Sequence, residues 1–298
     1  MQRMLYALCF LAFASCSSTQ ENNTANEEEW QTLFNGKDLQ GWDVKIAGYD
    51  LNDNIHNTFI VKDSMIVVDY SGYEKFTKEF GHLYYKTPYS YYKVRVQYQF
   101  YGEQLQGGPD YARLNSGIML HSQAASTLGK YQSFPVSLEM QFLASDSANK
   151  VHTGNLCTPG TLVSMNGKPT DIHCIDSNSP FYNEDEWINA EADVYGDSII
   201  HQIVNGDTVL TYEKPVIAGD FVNHNFNFTS GGFGADSLQW IQLKNTPLTS
   251  GCIALQAESH PIRFKKIELL NLEGCMDKKA INYKSYYIKA NNSTCVYK

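Results

Sequence analysis

The segment Ser137–Leu143 carries two polar side chains whose spacing could serve chemistry. Its apolar residues alternate with Glu139 and Gln141, and side chains two positions apart in a strand lie on the same face. We therefore expect Glu139 and Gln141 to project together from a strand whose other face packs into a core. A carboxylate beside an amide can act as a general base next to a hydrogen-bond partner for a substrate. The plainer alternative, in which Glu139 pairs with a Lys or Arg on an exposed sheet, stays open.

A second segment, Asn115–His121, adds an amide and an imidazole. The same alternation predicts that Asn115, Gly117, Met119 and His121 share a face, so Asn115 and His121 meet Glu139 in one groove if the two strands are neighbours. His121 is then a candidate proton donor, because imidazole titrates near neutral pH. A single histidine is equally compatible with a hydrogen-bonded residue that has no catalytic role.

The elements that must position these residues are strands. From Trp30 onward the sequence has short runs with a period of two, and the clearest is Tyr92–Phe100, in which every even position is apolar or aromatic. Asn205-Gly206-Asp207 predicts a hairpin turn. The other runs are Thr58–Asp69, Ser116–His121, Ser137–Leu143, Trp187–Tyr195, Ser198–Val204, Thr208–Tyr212, Cys252–Ala257 and Ile262–Leu270. About ten such strands without long amphipathic helices predict an all-β protein, a jelly-roll β-sandwich over residues 30–272.

Composition narrows the class of ligand. The 298 residues include 23 Lys and Arg against 32 Asp and Glu, a formal net charge of −9, and only 18% of the chain is charged. An acidic chain without a basic stripe lacks the electrostatic means to hold a phosphate backbone, which excludes nucleic acid as a partner. The sequence therefore favours neutral ligands.

The N-terminus indicates the compartment. Residues 1–15 contain Arg3 and then an apolar run too short to span a bilayer, which predicts a secretory signal peptide. The run ends in small residues before Cys16 and resembles a bacterial lipobox, so we expect Cys16 to be lipidated and residues 16–29 to be an acidic tether. This predicts an envelope lipoprotein anchored to the outer membrane. An ordinary signal peptide with an incidental cysteine is the alternative.

Five of the seven cysteines lie beyond the predicted signal and lipidation site. An oxidising envelope permits disulfides, and we predict two disulfides and one buried thiol: Cys157–Cys174, Cys275–Cys295 and Cys252. Residues 273–298, which depart from the strand pattern, resemble a small Cys-bracketed tail module of Bacteroidetes surface proteins. We expect this module to stabilise the chain or help attach it.

Several sequence blocks resemble, in order, the pattern of the 3-keto-disaccharide hydrolase domain family. The blocks are Leu33–Trp42, Asn115–Met119, Leu138–Gln141, Gly154–Thr161, Val204–Gly206, Gly251–Gln256 and Ile262–Ile267. The resemblance implies a concanavalin A-like, glucanase-type sandwich and activity on glycosides or disaccharides oxidised at carbon 3.

A ketone at carbon 3 acidifies the proton on carbon 2, so one base suffices to start elimination of the glycosidic oxygen from carbon 1. Glu139 or His152 is the expected base, and His121 is the expected donor to the leaving group. The strand itself does not support a retaining two-carboxylate mechanism, because Gln141 and Leu143 follow Glu139 at alternate positions.

The remaining expectations concern binding. Asn115, Gln141 and Trp187 are the expected contacts to the sugar. The sequence has no zinc motif and no evident cofactor, although a divalent ion such as calcium could stabilise an enolate. The competing hypothesis is a non-catalytic glycan-binding lipoprotein in which aromatic side chains stack on sugar rings. Its candidate residues are Trp42, Tyr111, Trp187 and Trp240.

Overall fold

The computed structural model describes residues 27–220 and 227–298. Within these ranges the chain forms nineteen strands and one short helix, α1 (Ser237–Gln242). The strands are β1 (Gln31–Thr32), β2 (Trp42–Ile46), β3 (Phe59–Lys62), β4 (Met65–Val68), β5 (Gly81–Tyr89), β6 (Tyr91–Phe100), β7 (Asn115–Ser122), β8 (Leu138–Leu143), β9 (Asn155–Cys157), β10 (Thr161–Met165), β11 (Lys168–Thr170), β12 (Cys174–Ile175), β13 (Ile188–Tyr195), β14 (Ile199–Val204), β15 (Asp207–Ile217), β16 (Gly251–Ala257), β17 (Ile262–Asn271), β18 (Glu273–Gly274) and β19 (Lys289–Ala290). The predicted signal peptide and Cys16 lie outside the described residues.

Two antiparallel sheets make up the sandwich. The larger sheet has ten strands in the order β11-β10-β15-β14-β13-β6-β17-β4-β3, with β1 paired to β17. The smaller sheet has seven strands in the order β12-β9-β8-β7-β16-β5-β2. Strands distant in sequence, such as β7 and β16, are therefore neighbours in space. The all-β sandwich predicted from the sequence is confirmed.

The core lies between the sheets and follows the predicted alternation. In β6 the even-numbered residues are buried, whereas Lys93, Arg95 and Gln97 face outward and are partly exposed. Across the core, the ring of Tyr98 on β6 stacks on Phe142 of β8 with 4.1 Å between centroids and a 9° interplanar angle. Such interdigitation of two inner faces is the usual packing of a β-sandwich.

Strands with clean alternation matched their predictions to within a residue or two, as β6, β8 and β14 show. The predicted turn at Asn205–Gly206 joins β14 to β15, and both residues have positive φ, as a two-residue hairpin turn requires. Sequence analysis missed β5, because its run Gly-His-Leu-Tyr-Tyr-Lys-Thr-Pro-Tyr lacks alternation and contains Pro88.

The structure contains both predicted disulfides, Cys157–Cys174 and Cys275–Cys295, and Cys252 is a buried free thiol. The second disulfide closes the C-terminal module, in which β18 and β19 pair in parallel. In this module, Lys284 forms an ion pair with Glu29 at the start of the described chain. No helix in the described ranges is long and apolar enough to cross a membrane.

Candidate active site

The outer face of the seven-stranded sheet carries the side chains of interest. Leu138, Met140 and Phe142 of β8 belong to the core between the sheets, so Glu139 and Gln141 point to the other side. Backbone pairing sets Glu139 beside Met119 and Gln141 beside Gly117 on β7. The predicted face of Glu139 and Gln141 is therefore confirmed.

This outer face is largely covered. Tyr84, Met119, Cys252 and Ala254 form an apolar cluster separate from the main core, and the segment after β7 packs on it through Ala124, Ala125 and Leu128. The same segment brings the Phe134 ring to 6.2 Å from that of His82. Polar groups on this face are therefore shielded from water by a loop, although they lie on the outside of a sheet.

Glycine at position 117 makes room for the Glu139 carboxylate. A Cβ atom added to Gly117 would lie 2.8 Å from Oε1 and 2.9 Å from Cγ of Glu139. The Glu139 side chain therefore lies across the backbone of β7, in space that any other residue at position 117 would fill.

A second carboxyl group, that of Glu258, lies beside Glu139. Glu258 immediately follows β16, and only 3% of it is exposed, against 6% of Glu139. Burial raises the pKa of Glu139 to about 8, and the nearby Gln256 amide lowers it in part. Burial, and then the negative charge of Glu139, raises the pKa of Glu258 well above its usual range. Two close buried carboxyls cannot both ionise readily, so the pair retains a proton at neutral pH.

Several buried polar atoms on or next to this face have no hydrogen-bond partner. Among the described residues they are Nε2 of His82, the hydroxyl of Tyr84, Oδ1 of Asn115 and both ring nitrogens of His260. Buried polar atoms in native proteins are nearly always paired, so a concentration of exceptions indicates a place for water or a polar ligand.

His121 does not join this group, and the prediction of a shared face was wrong for it. A positive φ of 47° at His121 and a register irregularity between β16 and β7 interrupt the alternation. Its Nε2 donates to the Gly196 carbonyl at 3.1 Å, and its ring packs edge-on against Tyr92 of the core. Burial lowers the pKa of His121 to about 4, so the ring is neutral and faces the interior.

His152 lies at the edge of the face. Its Nδ1 donates to the Ser179 carbonyl at 2.5 Å, and its ring lies 4.7 Å from that of Phe181. Its carbonyl accepts a hydrogen bond from Asn155, which also donates to Gln141 at 3.3 Å.

Asn115 does lie at the site. Its Nδ2 donates to the Tyr111 carbonyl at 2.9 Å, and its Oδ1 is the unpartnered atom named above.

Trp187 lies on the opposite side of the sandwich, so the structure does not bring it together with Asn115 and Gln141, the other predicted sugar contacts. The Lys265 ammonium sits 3.5 Å from its ring centroid and the Arg263 guanidinium 5.5 Å, and both residues belong to β17 of the larger sheet. Of the other aromatic candidates, Trp42 is buried and donates to the Leu33 carbonyl, and Trp240 packs against the core. Tyr111 alone among the four has an exposed ring next to the site, with 61% of the residue accessible.

A cleft of about 420 Å³ opens where Asn115 pairs with Leu143. Its walls are the turn that contains Tyr111 and Arg113, and the chain after β8. Glu258 contributes to raising the pKa of Tyr111 to about 12, after burial, and Arg113 contributes to lowering the pKa of His260. Tyr111, in the wall of the cleft, thus lies within electrostatic range of Glu258.

Among residues 27–220 and 227–298, no three or more His, Cys, Asp or Glu side chains cluster in a way that could hold a metal ion.

The geometry can be compared with known proteins. Residues 29–270 match the model of the 3-keto-alpha-glucoside-1,2-lyase-like domain. The chain belongs to this family. A search of curated protein sequences found no match.

Three solved structures resemble this member of the 3-keto-alpha-glucoside-1,2-lyase-like family. A candidate glycosyl hydrolase from Parabacteroides distasonis has 19% identity over 85% of this chain and 97% of its own, with a TM-score of 0.47. A second from the same organism has 15% identity, coverage of 82% and 100%, and a TM-score of 0.46. A Bacillus subtilis protein of unknown function with a galectin-like fold has 10% identity, coverage of 82% and 97%, and a TM-score of 0.46.

Sequence reasoning missed Glu258, Gln256 and His82. A usable signal existed for two of them, because the alternation of β16 continues past its end and places Gln256 and Glu258 on one face. His82 had no such signal, since β5 itself was not recognised.

Proposed function

We propose that this protein cleaves 3-keto-glycosides by proton abstraction at carbon 2 and elimination at carbon 1, followed by addition of water. The observation that carries the proposal is the buried pair of carboxyl groups, Glu139 and Glu258. Such a pair holds one ionised and one protonated carboxyl over the same pH range, which supplies a base and an acid together.

In the first step the Glu139 carboxylate takes the proton from carbon 2, which the ketone at carbon 3 has acidified. The electron pair of the C2–H bond forms an enolate whose charge rests on the carbon 3 oxygen. Glu139 is assigned as the base because the Gln256 amide lowers its pKa and so favours its ionised form, whereas the charge of Glu139 favours the protonated form of Glu258.

In the second step the enolate collapses, a double bond forms between carbons 1 and 2, and the C1–O bond to the leaving group breaks. The protonated Glu258 carboxyl gives its proton to the departing oxygen. Water then adds at carbon 1 and a proton returns to carbon 2, so the net reaction is hydrolysis. The two carboxyls thus replace the assignments of His121 and His152 that were expected from the sequence.

Two amides suit the remaining tasks. The Gln256 amide lies next to Glu139, where it can donate to the carbon 3 oxygen as negative charge develops on it. The free Oδ1 of Asn115 can accept a hydrogen bond from a sugar hydroxyl. This oxygen is already desolvated, so binding a sugar regains a hydrogen bond that folding left unmade.

The reaction can be tested with the full chain, 3-keto-trehalose and deuterium oxide. Elimination followed by water addition places deuterium from the solvent on carbon 2 of the released 3-keto-glucose, whereas direct displacement at carbon 1 leaves that hydrogen in place. We expect deuterium at carbon 2, and loss of both turnover and exchange in Glu139→Gln.

Glu268→Gln, which alters a carboxylate on the opposite sheet, is the matched control. Release of 3-keto-glucose with its carbon 2 hydrogen retained would contradict the mechanism. Binding of sugars without turnover of any 3-keto-glycoside would instead favour the glycan-binding alternative.

A further inference from the structure

The cleft beside the carboxyl pair is bounded by two segments that are far apart in sequence. One wall is the turn Asp110–Ala112 with Arg113, and the other runs from Leu143 to Val151. Arg113 and Asp146 form an ion pair across it. Asp146 also accepts hydrogen bonds from the backbone N–H groups of Ala148 and Asn149, both at 2.7 Å. The two walls are therefore tied together into a preformed cleft.

The cleft has a fixed relation to the proposed reacting centre. The Tyr111 carbonyl holds Asn115 through a 2.9 Å hydrogen bond, and Asn115 pairs in the sheet with Leu143. The Ala144 N–H donates to the Leu114 carbonyl at 3.2 Å, which continues this connection. The cleft is thus fixed to the end of β8, whose outer face carries Gln141 and Glu139.

The chemistry of the lining is mixed. Leu143 and Val151 are partly exposed apolar side chains, Tyr111 presents an exposed ring, and Arg113, Asp146 and Asn149 add polar groups at the rim. A pyranose ring has an apolar face of C–H groups and an edge of hydroxyls, which matches an aromatic platform beside polar groups. A volume of about 420 Å³ is within the range of small-molecule sites.

We propose that this cleft is the subsite for the leaving group, and that it takes a pyranose ring stacked on Tyr111. The inference rests on the proposed function, because it assumes that the bond between the two rings is broken at the carboxyl pair. It adds a specificity-determining residue: Tyr111 distinguishes a glycoside with a sugar as leaving group from one with a small leaving group.

The test compares two substrates that share the reacting ring. One is 3-keto-trehalose, with a glucose leaving group, and the other is methyl 3-keto-α-glucoside, whose leaving group is too small to reach Tyr111. In Tyr111→Ala we expect kcat/KM for the disaccharide to fall about 10-fold, mainly through KM, with less than about 2-fold change for the methyl glycoside. Tyr111→Phe keeps the ring and should restore most of the disaccharide activity.

A second variant guards against a purely structural effect. Val151→Trp fills the cleft from the opposite wall, and it should reduce turnover of the disaccharide alone. Equal losses on both substrates in both variants would overturn the subsite and leave the proposed reaction standing. Failure of the unaltered protein to turn over either substrate would overturn the proposed function, and the subsite with it.

Discussion

Both outer faces of the sandwich carry polar side chains, but these side chains pair across strands on one face and are buried under a loop on the other. On the larger sheet, polar groups pair across strands: Lys93 with Asp193 at 3.2 Å, Arg95 with Glu268 at 2.7 Å, and Gln97 with Asn189 at 2.6 Å. On the smaller sheet, Glu139, Glu258 and Gln256 are covered, and in the described part of the chain the neighbouring Oδ1 of Asn115 and Nε2 of His82 have no partner.

The difference has an energetic meaning. Exposed pairs such as Arg95–Glu268 cost little to form and contribute little to stability, whereas buried groups without partners cost stability unless something binds them. Asp193 Oδ1 is an exception on the larger sheet, since it is buried and unpaired. The concentration of such atoms around one pair of carboxyls distinguishes a site from an ordinary polar sheet face.

The most direct test of this difference between the two faces is to remove one carboxyl group from each face and compare kcat/KM. Glu258→Gln should lower kcat/KM on a 3-keto-disaccharide by about 100-fold or more, because it removes the proposed acid. Glu268→Gln should change it less than about 2-fold. A substrate with a good leaving group, such as 4-nitrophenyl 3-keto-glucoside, needs less protonation and should recover part of the loss. Similar losses of kcat/KM in both variants, measured by steady-state kinetics, would show that the two faces do not differ in their role in catalysis.

Gly117→Ala should have the next largest effect on kcat/KM. The added methyl group overlaps the position of the Glu139 carboxylate, so that side chain must move, and we expect about a 10-fold loss of kcat/KM. The same change made in Glu139→Gln should have little further effect, because the two substitutions act through one group. Full additivity of the two losses would show that Gly117 matters for another reason.

The pH dependence of the free energy of unfolding also distinguishes the two faces, because here removing a carboxyl group should be favourable. In the unfolded chain both glutamates titrate near their ordinary value, and in the folded chain their pKa values are raised, that of Glu139 to about 8. Between those values the folded state binds more protons, so the free energy of unfolding falls as pH rises. Glu258→Gln removes the part of this penalty that is due to Glu258 and should stabilise the protein by on the order of 1–3 kcal/mol at pH 9 relative to pH 5.

Urea denaturation with the disulfides intact, at pH 5 and pH 9, measures this difference. Glu268→Gln provides the control, because its partly exposed ion pair contributes about 0–1 kcal/mol. If Glu258→Gln loses stability equally at both pH values, contacts of the Glu258 carboxyl stabilise the folded protein and its burial does not destabilise it.

The smallest effect on kcat/KM is expected from substitution of Trp187. Its ring packs under Lys265 on the larger sheet, so Trp187→Ala should leave kcat/KM within about 2-fold and cost only local packing. A loss of 10-fold or more at unchanged stability would mean that the larger sheet also takes part in substrate binding.

The amino-acid sequence by itself determined much of this protein. Alternation sets which side of each clear strand is apolar, so β6, β8 and the outward direction of Glu139 could be predicted. Two disulfides followed from cysteine spacing and the compartment predicted from the N-terminus, and the family followed from ordered sequence blocks. These features depend on residues that are close together in the chain.

Only the tertiary structure decided which polar residues meet. A single positive φ turned His121 to the core, and sheet order placed Trp187 behind the sandwich and Glu258 beside Glu139. Alternation distinguishes the two faces of a strand, but it does not specify which strand is the neighbour or where a bulge reverses the pattern. Burial of the carboxyl pair likewise depends on distant segments that cover the sheet, and that burial is what turns two ordinary glutamates into a candidate acid and base.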